Sequence, residues 1–354
     1  MDPHFGSQLD KYFGPTTETL MLLPSDFNME QLIAQRDLFL ANAPLPLKGI
    51  FHPLGFPVQI VTNSDAVLDA ASQSWRMFRQ RFDCPPLRLH LGVSSDVDEA
   101  SQLPPAPTCR IEHHLMSHVA DAQNFIHCDL NAGFAFGWVT PQMVESVLYL
   151  RYHIIETAIL SMIATLRAAP LHAACVSAHG QGILLCGDSG AGKSSLAFAG
   201  ARAGWTFTCD DASYLLWSRS DRMVVGNCHQ FRLRDSGPQL FPELEGRSIT
   251  PRASGKPSIE IPTAELEGLA TSELATVNSI IFLNRDRVRR PELVEASRTE
   301  AHSWFSQFPY LHTASYAEQQ GAICHLLKVP IYELRYTELD WAVDRLNTLA
   351  LTGA

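Results

Sequence analysis

The chain has 354 residues, 46% of them hydrophobic, and a formal charge of −10. It is long enough for two domains or one large one, and apolar enough to bury a core without staples. The acidic balance argues against a nucleic-acid surface, because phosphate backbones are held by Lys and Arg in excess. Its eight Cys are scattered, with no C-x-x-C pair, which suits reduced thiols in a cytosolic protein better than a disulfide framework.

"MDPHFGSQLD" lacks a basic start followed by an apolar stretch, so no secretion signal is expected. "APLPLKGIFHPLGFP" is broken by prolines and glycines that mark turns. From Ala66 to Phe82 the spacing of Val67, Leu68, Ala71 and Trp75 predicts a helix. "LRLHLGV" (Leu87–Val93), "RIEHHLM" (Arg110–Met116) and "NFIHCDL" (Asn124–Leu130) read as strands, with "LPPAP" (Leu103–Pro107) as a loop among them. "ESVLYLRYHIIETAILSMIATLRAA" (Glu145–Ala169) is apolar enough to suggest a membrane helix, but Arg151, His153 and Glu156 lie within it. A buried core or domain-joining helix ending at Pro170 is the better reading.

The character of the sequence changes at that proline. "LHAACVSA" (Leu171–Ala178) and "GILLC" (Gly182–Cys186) predict two strands joined by the turn "HGQ". Then comes "GDSGAGKS", which fits G-x-x-x-x-G-K-[ST] at Gly187, Gly192, Lys193 and Ser194. Glycines let successive backbone N–H groups curl around a phosphate. That cradle spans Gly187, Asp188, Ser189, Gly190, Ala191, Gly192, Lys193, Ser194 and Ser195. Lys193 would reach the β- and γ-phosphates, Ser194 would bind Mg²⁺, and the helix "KSSLAFAGARAG" would add its positive end. Nucleotide binding is therefore expected. Asp210 and Asp211 follow 17 and 18 residues after Lys193, at the end of "GWTFTC". A strand there, beside the loop strand, would bring both carboxylates to the γ-phosphate. One could organise Mg²⁺ through water and the other could take a proton from an attacking hydroxyl. His172, on the strand before the loop strand, would point at the same phosphates.

"LHAACVSAHGQGILLCGDSGAGKSSLAFAGARAGWTFTCDDASYL" (Leu171–Leu215) resembles the C-terminal catalytic domain of the HPr kinase/phosphorylase family and its kinase-like relatives. The family shares this order of strand His, hairpin, phosphate loop and Asp pair; the likeness is looser to the chain's end. The resemblance implies that Lys193 and the loop bind phosphate and Ser194 binds Mg²⁺. It also implies that Asp210 is the base activating the acceptor hydroxyl, Asp211 supports the metal or the loop, and His172 contacts the transferring phosphate. The family's Glu-x-Arg-Gly-Leu-Gly segment is absent in that form; "HQFRLRDSG" stands roughly in its place. Arg232 or Arg234 would then stabilise the transferred phosphoryl group, and Gln230 would stand where the family has a metal-binding Glu, a poor exchange at Mg²⁺.

Lys256, in "ASGKPSIEIP", is open to acting as a phosphate clamp or as a solvated loop lysine. His113, His114 and His118 in "HHLMSH" have no Cys or carboxylate partner in sequence, so a metal site is not expected. "FLNRDRV" lacks the Lys and the Asp spacing of a guanine reader, and no "LSGGQ"-like segment exists. "SIIFLNR" and "PIYELRY" predict further strands, and "ELDWAVDRLNTLAL" a closing amphipathic helix. The expected fold is α/β: an HPr kinase-like P-loop domain with a mixed sheet over 166–354, preceded by an α+β domain over 1–165 that serves recognition or assembly. The expected activity is transfer of the γ-phosphoryl of ATP, with Mg²⁺, to a hydroxyl. A Ser of a protein or peptide comes first and a small-metabolite hydroxyl second; a P-loop ATPase or a nucleotide-binding regulator are the other classes. No nucleic acid or membrane partner is expected, the location is cytoplasmic, and a homo-oligomer is left open.

Overall fold

The computed structural model describes residues 44–94, 105–251, 256–285, 290–307 and 315–352, all within one unit, Pro44–Ala354. It is a mixed α/β structure with two large mixed sheets and a small antiparallel one. Strands β1 (Leu47–Phe51) and β2 (Val58–Thr62) are followed by α1 (Asp65–Trp75), then β3 (Leu87–Val93), β4 (Thr108–Glu112), β5 (Leu115–Val119), β6 (Phe125–Asp129) and β7 (Phe134–Val139). They form a seven-stranded sheet in the order β1-β2-β3-β7-β6-β5-β4, parallel only across β2, β3 and β7.

Two expectations change here. The helix stops at Trp75, short of Phe82. "RIEHHLM" is not one strand but the turn of the β4–β5 hairpin, with His113 at φ 53°. Its three histidines do not converge: His113 is exposed and His114 half-buried in the turn, while His118 is buried on β5, and the described residues hold no metal-binding cluster. Of "LPPAP", Leu103 and Pro104 lie outside the described residues.

After the short α2 (Pro141–Glu145), the apolar helix α3 runs Val147–Leu166, with a π-helical stretch at Leu150–Glu156. It is long and apolar enough to cross a membrane, yet 61% of that window is buried inside the protein. Ile154, Ala158, Ile159 and Met162 pack with Leu89 and Ile126 of the first sheet and with Tyr214, Leu216 and Val225 beyond it. One core therefore runs past residue 165. The helix ends at Leu166, not Pro170, which sits inside the next strand.

The second half contains β8 (Ala168–Leu171), β9 (Ala173–Ala178), β10 (Gln181–Cys186), α4 (Lys193–Arg202), β11 (Thr206–Cys209), β12 (Ser213–Leu216), β13 (Met223–Gly226), β14 (Gln230–Arg234), β15 (Ile249–Pro251), β16 (Pro257–Pro262), β17 (Leu274–Asn284), β18 (Glu292–Glu295), α5 (Arg298–Phe305), α6 (Tyr316–Leu326), β19 (Ile331–Arg335) and α7 (Leu339–Thr352). The sheet order is β11-β9-β10-β17-β13-β12-β8, with β19 on β17 and β18 on β19. β10 is hydrogen-bonded parallel to β17, as is β19.

Period-two alternation explains the layers. On β10, Ile183 and Leu185 face the core under α4 and α7, while Leu184 and Cys186 face the core under α5 and α6. A strand buried on both faces reads as an unbroken apolar run, which is why "GILLC" is recognisable in sequence. The expected long strand "LHAACVSA" is two: it breaks at His172, where the chain leaves the β12 side of the sheet for the β10 side. All eight cysteines are free.

Candidate functional site

β10 delivers the chain to a loop whose glycines hold φ of +145° (Gly187), +102° (Gly190) and +99° (Gly192), a region costly for any residue with a Cβ. Ala191 N–H donates to the Asp188 carbonyl at 3.0 Å, closing the turn, and Leu196 N–H to the Gly192 carbonyl at 2.8 Å opens α4. The space is as restrictive as the dihedrals. A Cβ on Gly187 would lie 2.9 Å from that of Ala191, and one on Gly192 would lie 2.8 Å from the Tyr336 hydroxyl. Asp188, Ser189 and Gly190 are exposed at the tip, and Ser194 and Ser195 are half-buried in the first turn of α4.

Lys193 is 6% exposed. Its ammonium donates to the Gly187 carbonyl at 2.7 Å, to the Asp188 carbonyl at 3.3 Å and to His172 Nε2 at 3.0 Å. The last contact needs a lone pair, so the imidazole is neutral with its proton on Nδ1, which faces Asp211 Oδ1 at 3.6 Å. The pKa of His172 is lowered by burial and then by Lys193, against the opposing pull of Asp211. Burial likewise lowers that of Lys193, with Asp211 holding it up. The three groups form one electrostatic chain from loop to Asp pair.

The expected arrangement of strands is not the one found. β11, which carries the Asp pair at its end, does not lie beside the loop strand; antiparallel β9 separates it from β10. The acids reach the loop anyway, because Cys209 ends the strand and the chain turns over the mouth of β9. Ser194 Oγ donates to the Asp210 carbonyl oxygen at 3.3 Å. Asp210 itself is 8% exposed, and its Oδ2 accepts the backbone N–H of Arg232 at 2.5 Å.

That bond joins the Asp pair to β14, where burial alternates. Phe231 and Leu233 enter the core, with Phe231 stacked 3.6 Å from Phe207 of β11. Gln230, Arg232 and Arg234 share the other face. Arg234 reaches the glycine loop, donating to Ser189 Oγ at 3.1 Å, and Lys256 donates to the same oxygen at 3.3 Å. Arg232 turns away from the loop. Its guanidinium lies 4.9 Å from the Tyr152 ring centroid and 3.9 Å from Glu260, which accepts the Tyr152 hydroxyl at 2.8 Å. Burial would lower its pKa, but Tyr152, Glu156, Glu260 and Asp210 raise it overall.

Two cavities share Asp211 in their walls. The first, about 230 Å³, is lined by the loop, His172, Asp211, Arg234 and Arg285. The second, about 160 Å³, is lined by Asp210, Asp211, Gln230 and Arg232 and by residues of α1 and α3. The structure thus brings together Lys193, Ser194, His172, Asp210 and Asp211. It places Arg234 and Lys256, rather than Arg232, against the loop.

Sequence reasoning missed Tyr336 and Arg285. Tyr336 is fully buried under the loop and Arg285 sits 5.5 Å over its ring. The only sequence signal was that each closes a strand parallel to β10 on the phosphate-loop side. It named no residue of α1 or α3, although it expected the first 165 residues to serve recognition or assembly.

No protein-family model matches the chain, and no curated protein matches it. Among solved structures it is similar to the HPr(Ser) kinase/phosphatase from Coxiella burnetii, at 15% sequence identity and a TM-score of 0.30. The match covers 52% of this chain and 95% of that one.

Proposed function

We propose that the protein is an ATP- and Mg²⁺-dependent kinase that transfers the γ-phosphoryl group to a hydroxyl, with the HPr kinase-like P-loop domain over 166–354 carrying the chemistry. The observation behind this reading is the position of the Asp pair. Asp211 lines both the cavity over the glycine loop and a second cavity, which Asp210 also lines. A nucleotide and an acceptor placed in these cavities would meet at Asp210 and Asp211.

Roles follow from chemistry. The loop's N–H groups, the start of α4, Lys193 and Arg234 would hold the phosphates. Asp210 would accept the hydroxyl proton, held in place by Arg232 N–H. His172, neutral, would orient Lys193 and Asp211. Ser194 and Asp211 offer hard oxygen ligands that suit Mg²⁺, and with no cluster of three protein ligands among the described residues the remaining positions fall to phosphates and water, as is usual for this ion. Bound there, Mg²⁺ supplies charge neutralisation for the transferring group.

The test uses γ-labelled ATP with an extract of the native host, comparing wild type with Asp210→Asn and following label in protein, small-molecule and free-phosphate fractions. Label should enter an acceptor fraction, and the variant should lower transfer by about 10²–10⁴-fold while an ATP analogue still binds. Label appearing only as free phosphate, at the same rate in both enzymes, would make water the acceptor and sink the kinase reading.

A further inference from the structure

The cavity beyond the Asp pair has features that the phosphate-loop chemistry does not use. Its outer wall comes from the first half of the chain: Trp75 and Phe78, 5% and 4% exposed, supply apolar surface, and α3 supplies Arg151, Glu156 and Leu160. Arg151 is 7% exposed. Its Nε donates to Ser74 Oγ at 2.9 Å, and that hydroxyl donates to Glu156 Oε1 at 2.7 Å. These bonds fix the wall in advance, so little side-chain entropy remains to be lost on binding. From the sheet side, Gln230 Nε2 is buried with no hydrogen-bond partner among the described residues. An unsatisfied buried donor is costly, and Gln230 is among the residues that line the cavity.

We infer that this cavity is the acceptor chamber, and that it takes a small hydroxyl-bearing molecule with no net charge, a polyol or a hydroxy-amino acid, rather than a serine presented by a folded protein. This rests on the kinase reading above. A cavity of about 160 Å³ matches those known to enclose a benzene-sized guest. A lone serine side chain would leave most of it unfilled. Arg151 is already paired with Glu156 at 3.4 Å and Arg232 with Glu260 at 3.9 Å, so a guest with a net charge would have to compete with these pairs. In the reaction, the guest's hydroxyl oxygen forms a bond to the γ-phosphorus of ATP. The bond from that phosphorus to the β,γ-bridging oxygen breaks, ADP leaves with the electron pair, and the hydroxyl proton passes to Asp210.

The test fills the chamber. Leu160→Trp in the full-length chain should leave the affinity for a non-hydrolysable ATP analogue unchanged. It should cut transfer of label into the small-molecule fraction of a host extract at least a hundredfold. That fraction, without nucleotide, should raise the melting temperature of wild type but not of Leu160→Trp. Gln230→Leu provides a second, gentler variant: it should raise the acceptor KM about tenfold with kcat and melting temperature held or improved. Label entering protein equally with wild type and Leu160→Trp would overturn the chamber and leave the kinase intact. Label reaching only free phosphate would overturn the kinase reading, and the chamber with it. An unchanged acceptor KM in Gln230→Leu would also count against the chamber.

Discussion

Gly192 and Tyr336 show how one residue's atoms decide the site. A methyl group on Gly192 would meet the Tyr336 hydroxyl at 2.8 Å, at a φ of +99° that disfavours any side chain. That hydroxyl is buried without a partner among the described residues, and its pKa is pushed up to about 12 by burial. Removing it should cost nothing and can stabilise, since an unsatisfied polar group disappears. Tyr336→Phe is therefore expected to melt at or above the wild-type temperature. On the proposed function, Gly192→Ala should lose nucleotide binding, measured by titration with a fluorescent ATP analogue. The double variant should recover part of it, because the steric conflict is relieved and only the dihedral strain of about 1–2 kcal/mol remains. No recovery would mean that backbone strain alone governs the loop.

Elements are held to each other by equally local contacts. α4 is anchored at its far end by Trp205, which is 2% exposed, packs under Gly200, and donates Nε1–H to Asn347 of α7 at 2.7 Å. Helix propensity alone favours Gly200→Ala by about 1 kcal/mol. Packing opposes it, since the new methyl would fall 2.0 Å from Trp205 Cε3, and overpacking a core commonly costs about 1–3 kcal/mol. The clash should win. Gly200→Ala is expected to lower the urea midpoint with an unchanged m-value, and a rise in midpoint would show that Trp205 can yield. At this scale the periodic patterns were legible: β3, β10, α4, β19 and α7 stand where apolar spacing put them, within a few residues. The failures sit at breaks within apolar runs. His172 divides one expected strand, and the His113–His114 turn divides another, because neither break carries the Gly, Pro, Asn or Asp that marks a turn in sequence.

Across the whole molecule, pH links many sites. His90, His118, His127, His153 and His172 all have pKa values lowered from 6.5, with burial the leading cause in each. The unfolded chain therefore binds more protons than the folded one below about 6.5, and stability falls as the pH drops through that range. Buried thiols act in the opposite sense. Burial pushes Cys128 and Cys175 up to about 12 and Cys228 up to about 11, so the folded state retains protons that the unfolded chain releases above about 9. Thermal melts should show a plateau between about pH 6.5 and 9, with losses on both sides. A melting temperature that keeps rising below pH 6 would contradict the histidine assignment. The same whole-molecule scale joins the two sheets. Glu273, 7% exposed, receives Arg81 at 2.8 Å from the first half and His229 at 3.2 Å from the second, and the core under α3 is common to both.

By itself the sequence determined the glycine loop and the α/β character of the second half. Both are written in local chemistry: glycines where φ must be positive, apolar runs where a strand is buried on both faces. The order of His172, the loop and the Asp pair was also readable, because they are close in sequence. Only the tertiary structure decided what lies between and around them. β9 separates the strands of the loop and the Asp pair, β14 sends Arg234 to the loop and Arg232 away from it, and α1 and α3 wall the second cavity. These relations depend on strand order and on contacts between residues as far apart as Ser74 and Glu156, or Tyr152 and Glu260. Periodicity in a single chain carries no record of which strand becomes whose neighbour, since pairing is chosen by the packing of the whole core.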